Sequence, residues 1–174
     1  MRISLYGLNG TKVVIDKVKV SGNLEYALNV AGPSTGVDVI TSYSEISGWA
    51  AINSYSSNST FTITNSTLTG TNDKPHSAVN DFATIIFYDL DDPQGKGQNN
   101  AITVTNSTVT AIQTTGNSQY VLGLDYLAGN NDVNFTGCSL LSQPTSQDMF
   151  YTTTYRGSRC NRWDRPNSGL GQQW

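Results

Sequence analysis

The chain has 174 residues, a length typical of a single domain, and carries a formal net charge of −3 with only 13% charged residues. This weakly acidic balance gives little support to binding of nucleic acid or of an anionic membrane, so we predict neither partner. No apolar run is long enough to cross a membrane, so we predict no membrane span. Ser, Thr and Asn make up about a third of the residues, which favours exposed strands over helices.

The main feature of the chain is a ten-residue repeat. In chain order its copies occupy residues 13–22, 39–48, 61–70, 102–111 and 133–142, and the third and fourth are almost identical. The copies begin 22 to 41 residues apart, which is the spacing of solenoids and propellers. A propeller blade needs four antiparallel strands per repeat, and each repeat here offers too few. The spacing therefore favours a solenoid.

Within each copy, apolar and polar positions alternate. This period of two predicts a strand that is buried on one face and exposed on the other. The first, third and eighth positions are predicted to point inward, whereas the second, fourth, seventh and ninth are predicted to point outward. The first position holds Val13, Val39, Phe61, Ile102 and Val133 in the five copies. The eighth position holds Val20, Ile46, Leu68, Val109 and Leu140.

The fifth position of each copy is predicted to bend the strand. Asn65, Asn106 and Gly137 stand there in the last three copies, and these residue types adopt the left-handed backbone at low cost. Lys17 and Tyr43 stand at the same position in the first two copies and do not suit that conformation. We therefore expect the first two copies to turn differently from the others.

A second apolar stretch follows each copy, and it supplies the remaining strand of each coil. The predicted fold is an all-β parallel β-solenoid (β-helix) of about five coils over residues 1–154. A solenoid end normally needs a capping turn, and residues 1–10 offer only a brief candidate for one. Unpaired strand edges there predict end-to-end self-association.

The connection after the third copy, residues 71–100, is the longest and holds most of the candidate chemistry. Long excursions from a solenoid often build its binding surface. Paired carboxylates there are candidates to coordinate Ca²⁺, the one possible cofactor, or to act as acid and base on a sugar. An exposed turn rich in Asp, Pro and Gly explains the same residues, and we favour that interpretation. The ligand-binding candidates are Lys74, Tyr88, Asp89, Asp91 and Asp92, and the weak catalytic candidates are His76, Asp91 and Asp92.

Residues 155–174 differ in composition from everything before them and are predicted to form an irregular C-terminal tail. Four of the five arginines lie between Arg156 and Arg165, together with Cys160 and Trp163. Three interpretations stay open: a cap over the last coil, a basic contact surface, or a segment that is not native to the protein.

The two cysteines allow either a structural thiol or a disulfide. Cys138 stands at an inward position that Ser66 and Ser107 occupy in the preceding copies, which favours a buried free thiol over a bond to Cys160. His76 is the only histidine, and no cysteine spacing supports tetrahedral ligation. We therefore predict no metal site of that kind.

The phrase at residues 65–70 and its repetition over residues 10–152 resemble the right-handed parallel β-helix of the pectin-lyase-like superfamily. This resemblance implies polysaccharide lyases that pair Ca²⁺-binding acidic residues with an Arg or Lys base, and hydrolases with several Asp motifs. Only Asp91-Asp92 matches those motifs, and outside the tail the sole arginine is Arg2. A partial or degraded lyase or glycoside hydrolase is therefore the alternative interpretation of function.

The sequence pattern of residues 48–53 followed by 60–70 is more similar to the non-catalytic β-helix repeats of bacterial adhesin-like surface proteins. That resemblance implies a structural or adhesive segment of a larger exported protein at the cell surface, with its signal and anchor outside these residues. It also implies a glycan or host-surface partner. Stacked Thr and Asn faces with exposed tyrosines can hold a glycan, and the candidate tyrosines are Tyr43, Tyr55, Tyr88, Tyr120 and Tyr126. We favour a core position for Tyr88, Tyr120 and Tyr126.

Overall fold

A computed structural model describes residues 1–21, 26–71, 81–87, 97–112, 118–124, 130–143, 150–152 and 159–163. Every regular element in these ranges is a β-strand, so the all-β prediction is confirmed. The strands are β1 Ile3–Tyr6, β2 Lys12–Asp16, β3 Lys19–Val20, β4 Tyr26–Ala31, β5 Asp38–Ser42, β6 Glu45–Gly48, β7 Ala50–Ser54, β8 Thr60–Thr64, β9 Thr67–Thr71, β10 Asp81–Phe87, β11 Ala101–Thr105, β12 Thr108–Ile112, β13 Ser118–Leu124, β14 Asp132–Thr136, β15 Ser139–Gln143, β16 Phe150–Thr152 and β17 Arg159–Trp163.

The strands form three parallel sheets. Sheet I has the order β1-β4-β7-β10-β13-β16, sheet II has β17-β14-β11-β8-β5-β2, and sheet III has β15-β12-β9-β6-β3. Each successive strand of the chain joins the next sheet, so three consecutive strands make one coil. The predicted solenoid of about five coils is therefore confirmed.

The repeat copies stack in register. Phe61 pairs with Val39 of the preceding coil and with Ile102 of the following one, and the rest of β8 follows the same alignment. The predicted inward positions Phe61, Ile63 and Leu68 are all buried in one continuous core. The period-two alternation thus identified the buried face correctly, because one residue of slip would turn every apolar side chain outward.

All five copies bend through a left-handed residue at the fifth position. The φ angles of Asn65, Asn106 and Gly137 are +48°, +48° and +61°, and those of Lys17 and Tyr43 are +53° and +47°. Our expectation that the first two copies turn differently was therefore wrong. A left-handed backbone costs a residue with a Cβ atom about 1–2 kcal/mol.

Hydrogen bonds between coils explain why Lys17 and Tyr43 accept that conformation. The Lys17 N–H donates to the Ser42 carbonyl at 3.0 Å, and the Tyr43 N–H donates to the Thr64 carbonyl at 3.2 Å. The Asn65 N–H donates to the next coil in the same way, at 3.1 Å. A corner of different shape would leave these backbone groups without their partners in the stack, so tertiary pairing overrides local preference.

A second column of left-handed residues lies just before the strands of sheet II, outside the repeated phrase. Its members lie seven residues before those of the first column, so the two columns bracket the sheet II strands β2, β5, β8, β11 and β14. They are Gly10, Gly36, Asn58, Asn99 and Asn130, with φ angles of +58°, +62°, +53°, +56° and +59°.

A ladder of serine hydroxyls runs inside the corner between sheets II and III. The backbone N–H groups of Val18, Ser44 and Ser66 each donate to the hydroxyl of the next coil, at 3.1 Å in every case. The Ser44, Ser66 and Ser107 hydroxyls each donate in turn to the carbonyl two residues earlier, at 2.8 Å. This ladder satisfies buried backbone groups that the bend removes from the sheets.

Cys138 stands at the next position of this ladder. Its thiol is free and buried, and it lies 3.2 Å from the Val104 carbonyl, to which it donates. The prediction of a structural thiol is therefore confirmed. Cys160 belongs to β17, and its partner across the sheet is Val133 of β14.

Gly137 offers a test of the left-handed column. A Cβ atom added there would lie 2.6 Å from Asn106 Oδ1, whereas one added at Gly36 would meet nothing closer than 3.7 Å. We expect Gly36→Ala to lower the free energy of unfolding by about 1–2 kcal/mol through the backbone alone. Gly137→Ala should lower it further, because the Asn106 side chain must also move. Urea unfolding of both variants measures the difference, and equal losses would contradict the Asn106 contact.

Part of the C-terminal tail is regular, which corrects the prediction of an irregular segment. Arg159–Trp163 forms β17 and pairs in parallel with β14, with a register shift between Asn134 and Phe135. The edge of β14 presents backbone donors and acceptors that an extended segment satisfies, and this explains the pairing. Residues 153–158 and 164–174 lie outside the described residues.

The predicted end-to-end self-association would take place at the exposed end of the first coil, and it stays a prediction. Strands β1, β2 and β3 each stand at one end of the described strand order of their sheets. Val14 is exposed nearby, but Lys12 and Lys19 are exposed on the two edge strands β2 and β3. Lysines on an edge strand oppose pairing with another chain, because pairing would bring their charges together. Sedimentation velocity at rising protein concentration tests the prediction.

Candidate functional site

The candidate residues of the long connection all lie outside the described residues, so the structure does not test them. These residues are Lys74, His76, Tyr88, Asp89, Asp91 and Asp92. The strand β10 (Asp81–Phe87) of sheet I divides residues 71–100, and it is the second apolar stretch that was predicted to follow the third copy. Lys74 and His76 precede that strand and the other four residues follow it. The candidates therefore belong to two connections, one at each end of β10.

Neither a metal centre nor a membrane helix is found in the part of the chain that the structure describes. No three His, Cys, Asp or Glu residues in that part come together as a group that could hold a metal ion. That part also contains no helix long and apolar enough to cross a membrane. The possible Ca²⁺ site at Asp91 and Asp92 stays a prediction, since neither residue is described.

A second hydrophobic cluster, separate from the main core, lies along sheet I and the residue that precedes β7. Its buried members are Trp49, Ala50, Ala83 and Ile86, and the half-buried Tyr26, Tyr55 and Tyr120 pack against them. We call these seven residues the outer cluster. Sheet I therefore has buried apolar side chains outside the main core, and Tyr120 lies in this cluster rather than in the main core. Tyr88 and Tyr126 lie outside the described residues.

Two asparagines are buried on sheet I. The Asn53 side-chain amide donates to Asn29 Oδ1 at 2.7 Å, which joins neighbouring coils. Asn53 Oδ1 is buried and has no hydrogen-bond partner among the residues that the structure describes. Thr41 Oγ1 is in the same state, and a buried polar atom without a partner costs about 1–3 kcal/mol.

The outward positions of sheets II and III form columns of stacked threonines. On sheet II, Thr62 pairs with Thr103, and Thr105 pairs with both Thr64 and Thr136. On sheet III, Thr67 pairs with Thr108 and Thr69 pairs with Thr110. We call these the threonine columns. They carry a regular hydroxyl surface, which confirms the predicted outward positions.

Between the threonine columns runs a ridge made by the first left-handed column. We define this corner ridge as Lys17, Tyr43, Asn65, Asn106 and Gly137, all of which are exposed. Tyr43 is the single aromatic residue among them, and its exposed fraction is 62%. The prediction that Tyr43 is exposed is therefore confirmed.

Ionisable side chains line the first two coils of the corner ridge, and they occur in pairs of opposite charge. Lys17 Nζ lies 3.9 Å from Asp16 Oδ2, and Lys19 contacts Glu45. The Ser42 hydroxyl donates to the other Asp16 oxygen at 2.7 Å. The region around Tyr43 is therefore rich in hydrogen-bonding groups but close to neutral in charge.

No family model matches the chain, and searches of curated proteins and of solved structures return no match.

Proposed function

We propose that this chain is a non-catalytic structural or adhesive segment of a larger exported surface protein, and that it engages a glycan or host surface through its exposed faces. We further propose that the coil is right-handed, as in the pectin-lyase-like β-helices. Connections between parallel strands of one sheet are right-handed in about 98% of cases, which supports that hand.

The regular outward surface of sheets II and III is the observation that carries this proposal. Thr64, Thr105 and Thr136 are stacked one per coil, and the strands that bear them pair residue by residue. The serine ladder beneath the corner holds successive coils in fixed register. Such a surface presents hydroxyls at constant spacing on a rigid support, which suits repetitive contact with a polyhydroxylated or host surface.

An extracellular or cell-surface location agrees with this proposal. The exposed columns consist mainly of uncharged Thr, Ser and Asn residues, and Lys and Glu are scarce along the chain. A larger protein would supply the export signal and the anchor. The location remains part of the proposal.

The alternative function, a partial polysaccharide lyase or glycoside hydrolase, depends on Asp91, Asp92 and His76. A turnover assay separates it from the proposal. The purified chain is incubated with pectin, alginate and glycosaminoglycans, with and without Ca²⁺, and unsaturated products and new reducing ends are measured. We expect no turnover of any substrate. Turnover that is lost in the double variant Asp91→Asn with Asp92→Asn would overturn the non-catalytic proposal.

Binding is tested separately on a glycan array. We expect the intact chain to give signals above those of a heat-unfolded control, because an adhesive surface requires the folded stack. Signals no higher than the unfolded control would remove glycans from the proposal and leave only a structural or protein-binding role.

A further inference from the structure

Tyr43 combines a strained backbone with an exposed aromatic side chain. Its φ angle is +47°. A left-handed conformation in a bulky residue other than glycine is a genuine outlier. The next two coils form the same corner with Asn65 and Asn106, at φ angles of +48° and +48°. The fold therefore does not require a tyrosine at this corner.

Packing does not compensate for the strain. Tyr43 is 62% exposed and belongs to neither hydrophobic cluster. Among the described residues, its side chain makes no hydrogen bond or aromatic contact, while its backbone N–H is bonded like those of its neighbours in the column. The hydrogen bond between coils imposes the backbone conformation, but it uses only the Tyr43 N–H and does not require a tyrosine side chain. Residues held in strained conformations cluster at functional sites.

The neighbours of Tyr43 supply hydrogen-bonding groups on both sides. Lys17 precedes it by one coil and Asn65 follows it by one coil, so the three span about 10 Å at the strand spacing of about 4.8 Å. Asp16 and Glu45 flank the ridge and are paired with Lys17 and Lys19. An aromatic ring is thus framed by an ammonium, an amide and carboxylates, with no net charge.

We propose that Tyr43 is the stacking platform for a pyranose ring of a neutral glycan, and that Lys17 and Asn65 hydrogen-bond its hydroxyls. The apolar face of a sugar ring suits an aromatic face, and its rim of hydroxyls suits the surrounding donors and acceptors. The inference rests on the proposed adhesive function and locates its contact on the corner ridge.

The same observations favour a neutral sugar over other ligands. A protein partner would require several apolar anchors that become buried together at the centre of an interface. Tyr43 is instead one aromatic residue among polar neighbours. A charged glycan would need a side chain of opposite charge that is free to bind it. The charges near Tyr43 are already paired with each other, at Lys17–Asp16 and Lys19–Glu45.

The test measures stability and glycan affinity in the same variants. The probe is a printed array of neutral gluco-, galacto- and manno-oligosaccharides, and the oligosaccharide with the strongest signal is then titrated by calorimetry. We expect Tyr43→Asn to raise Tm by about 2–4 °C, because asparagine relieves the left-handed strain. We also expect it to weaken binding at least tenfold. A gain in Tm shows that the loss of binding is not caused by unfolding.

Two further variants serve as controls. Tyr43→Phe keeps the ring and should retain binding within about twofold of the unmodified chain, since stacking requires the ring rather than the hydroxyl. Tyr6→Asn removes a tyrosine that is 69% exposed on sheet I, and it should leave glycan affinity unchanged.

The outcomes separate this site from the wider proposal. If the chain binds neutral glycans and Tyr43→Asn binds them equally well, the ridge site is wrong while the adhesive function stands. If the chain binds no array glycan, the ridge site fails together with the glycan part of the proposed function. Binding that weakens steeply with added salt would indicate a charged ligand and overturn the neutral assignment. Tyr43-dependent adhesion to a deglycosylated surface would assign the ridge to a protein partner instead.

Discussion

Replacing Phe61 with alanine should lower the free energy of unfolding by about 3–5 kcal/mol, the loss expected for a large buried aromatic residue. Phe61 is 1% exposed and lies in the middle coil of the core. Its ring meets that of Phe87 edge to face, with a centroid separation of 5.1 Å and an interplanar angle of 89°. The substitution removes this contact and opens a cavity where sheets I and II face each other, and the rigid stack limits how far its walls can close.

Urea unfolding followed by circular dichroism measures this loss. Thr103→Ala serves as the control, because Thr103 is exposed on the neighbouring strand β11 and should change stability by less than about 0.5 kcal/mol. A loss below about 1 kcal/mol for Phe61→Ala would contradict the central position of this side chain.

Replacing Asn100 with alanine should cost about 2–4 kcal/mol, because the amide satisfies several buried groups at once. Its Oδ1 accepts the Ser59 N–H at 3.0 Å, and its Nδ2 donates to the Ser56 carbonyl and to Asn131 Oδ1, each at 3.0 Å. The Asn100 N–H donates to the same Asn131 oxygen at 2.9 Å. Alanine leaves the Ser59 N–H and the Ser56 carbonyl buried without these partners.

Asn100→Ser is the matched variant, since Ser59 occupies the same column one coil earlier. The Ser59 hydroxyl accepts the Val37 N–H at 3.0 Å and donates to the Ser57 carbonyl at 2.9 Å. A serine at position 100 can accept the Ser59 N–H in the same way but cannot reach the other partners, so we expect it to recover about half of the loss. Equal stability of the alanine and serine variants in urea would show that the hydrogen bond from the Ser59 N–H to the side chain at position 100 contributes nothing.

The sequence predicted the strands of sheets II and III because their apolar residues recur with a period of two. One buried face along a strand permits only one register, so the columns through Phe61 and Leu68 also predicted which residues stack. The same alternation placed Cys138 inside. These features depend on which side chains become buried, and the order of apolar and polar residues along the chain shows that directly.

The corners were predicted only in part, because their conformation depends on backbone partners in other coils. Asn65 and Gly137 indicate a left-handed bend by their residue type, but Lys17 and Tyr43 do not. The second left-handed column, which includes Asn58, lies outside the repeated phrase. Its geometry becomes visible only when hydrogen bonds such as that from the Asn58 N–H to the Gln98 carbonyl, at 2.9 Å, join residues 40 positions apart.

The candidate site shows the same division. Residue chemistry directed attention to Asp91, Asp92 and His76, which lie outside the described residues. Tyr43 was predicted only to be exposed, and its further interest comes from a positive φ angle and from the neighbours that stacking supplies. These two properties belong to the assembled coils and not to any short segment of sequence.

The sequence by itself thus determined an all-β parallel solenoid, its repeat register and its inward columns, because burial of alternate apolar side chains is a local pattern. Only the tertiary structure decided that every copy bends at a left-handed residue, that buried Ser and Asn side chains join the coils, and that Tyr43 has a positive φ angle on the ridge between the threonine columns. Hydrogen bonds between coils impose these features, and they connect residues that are distant in sequence.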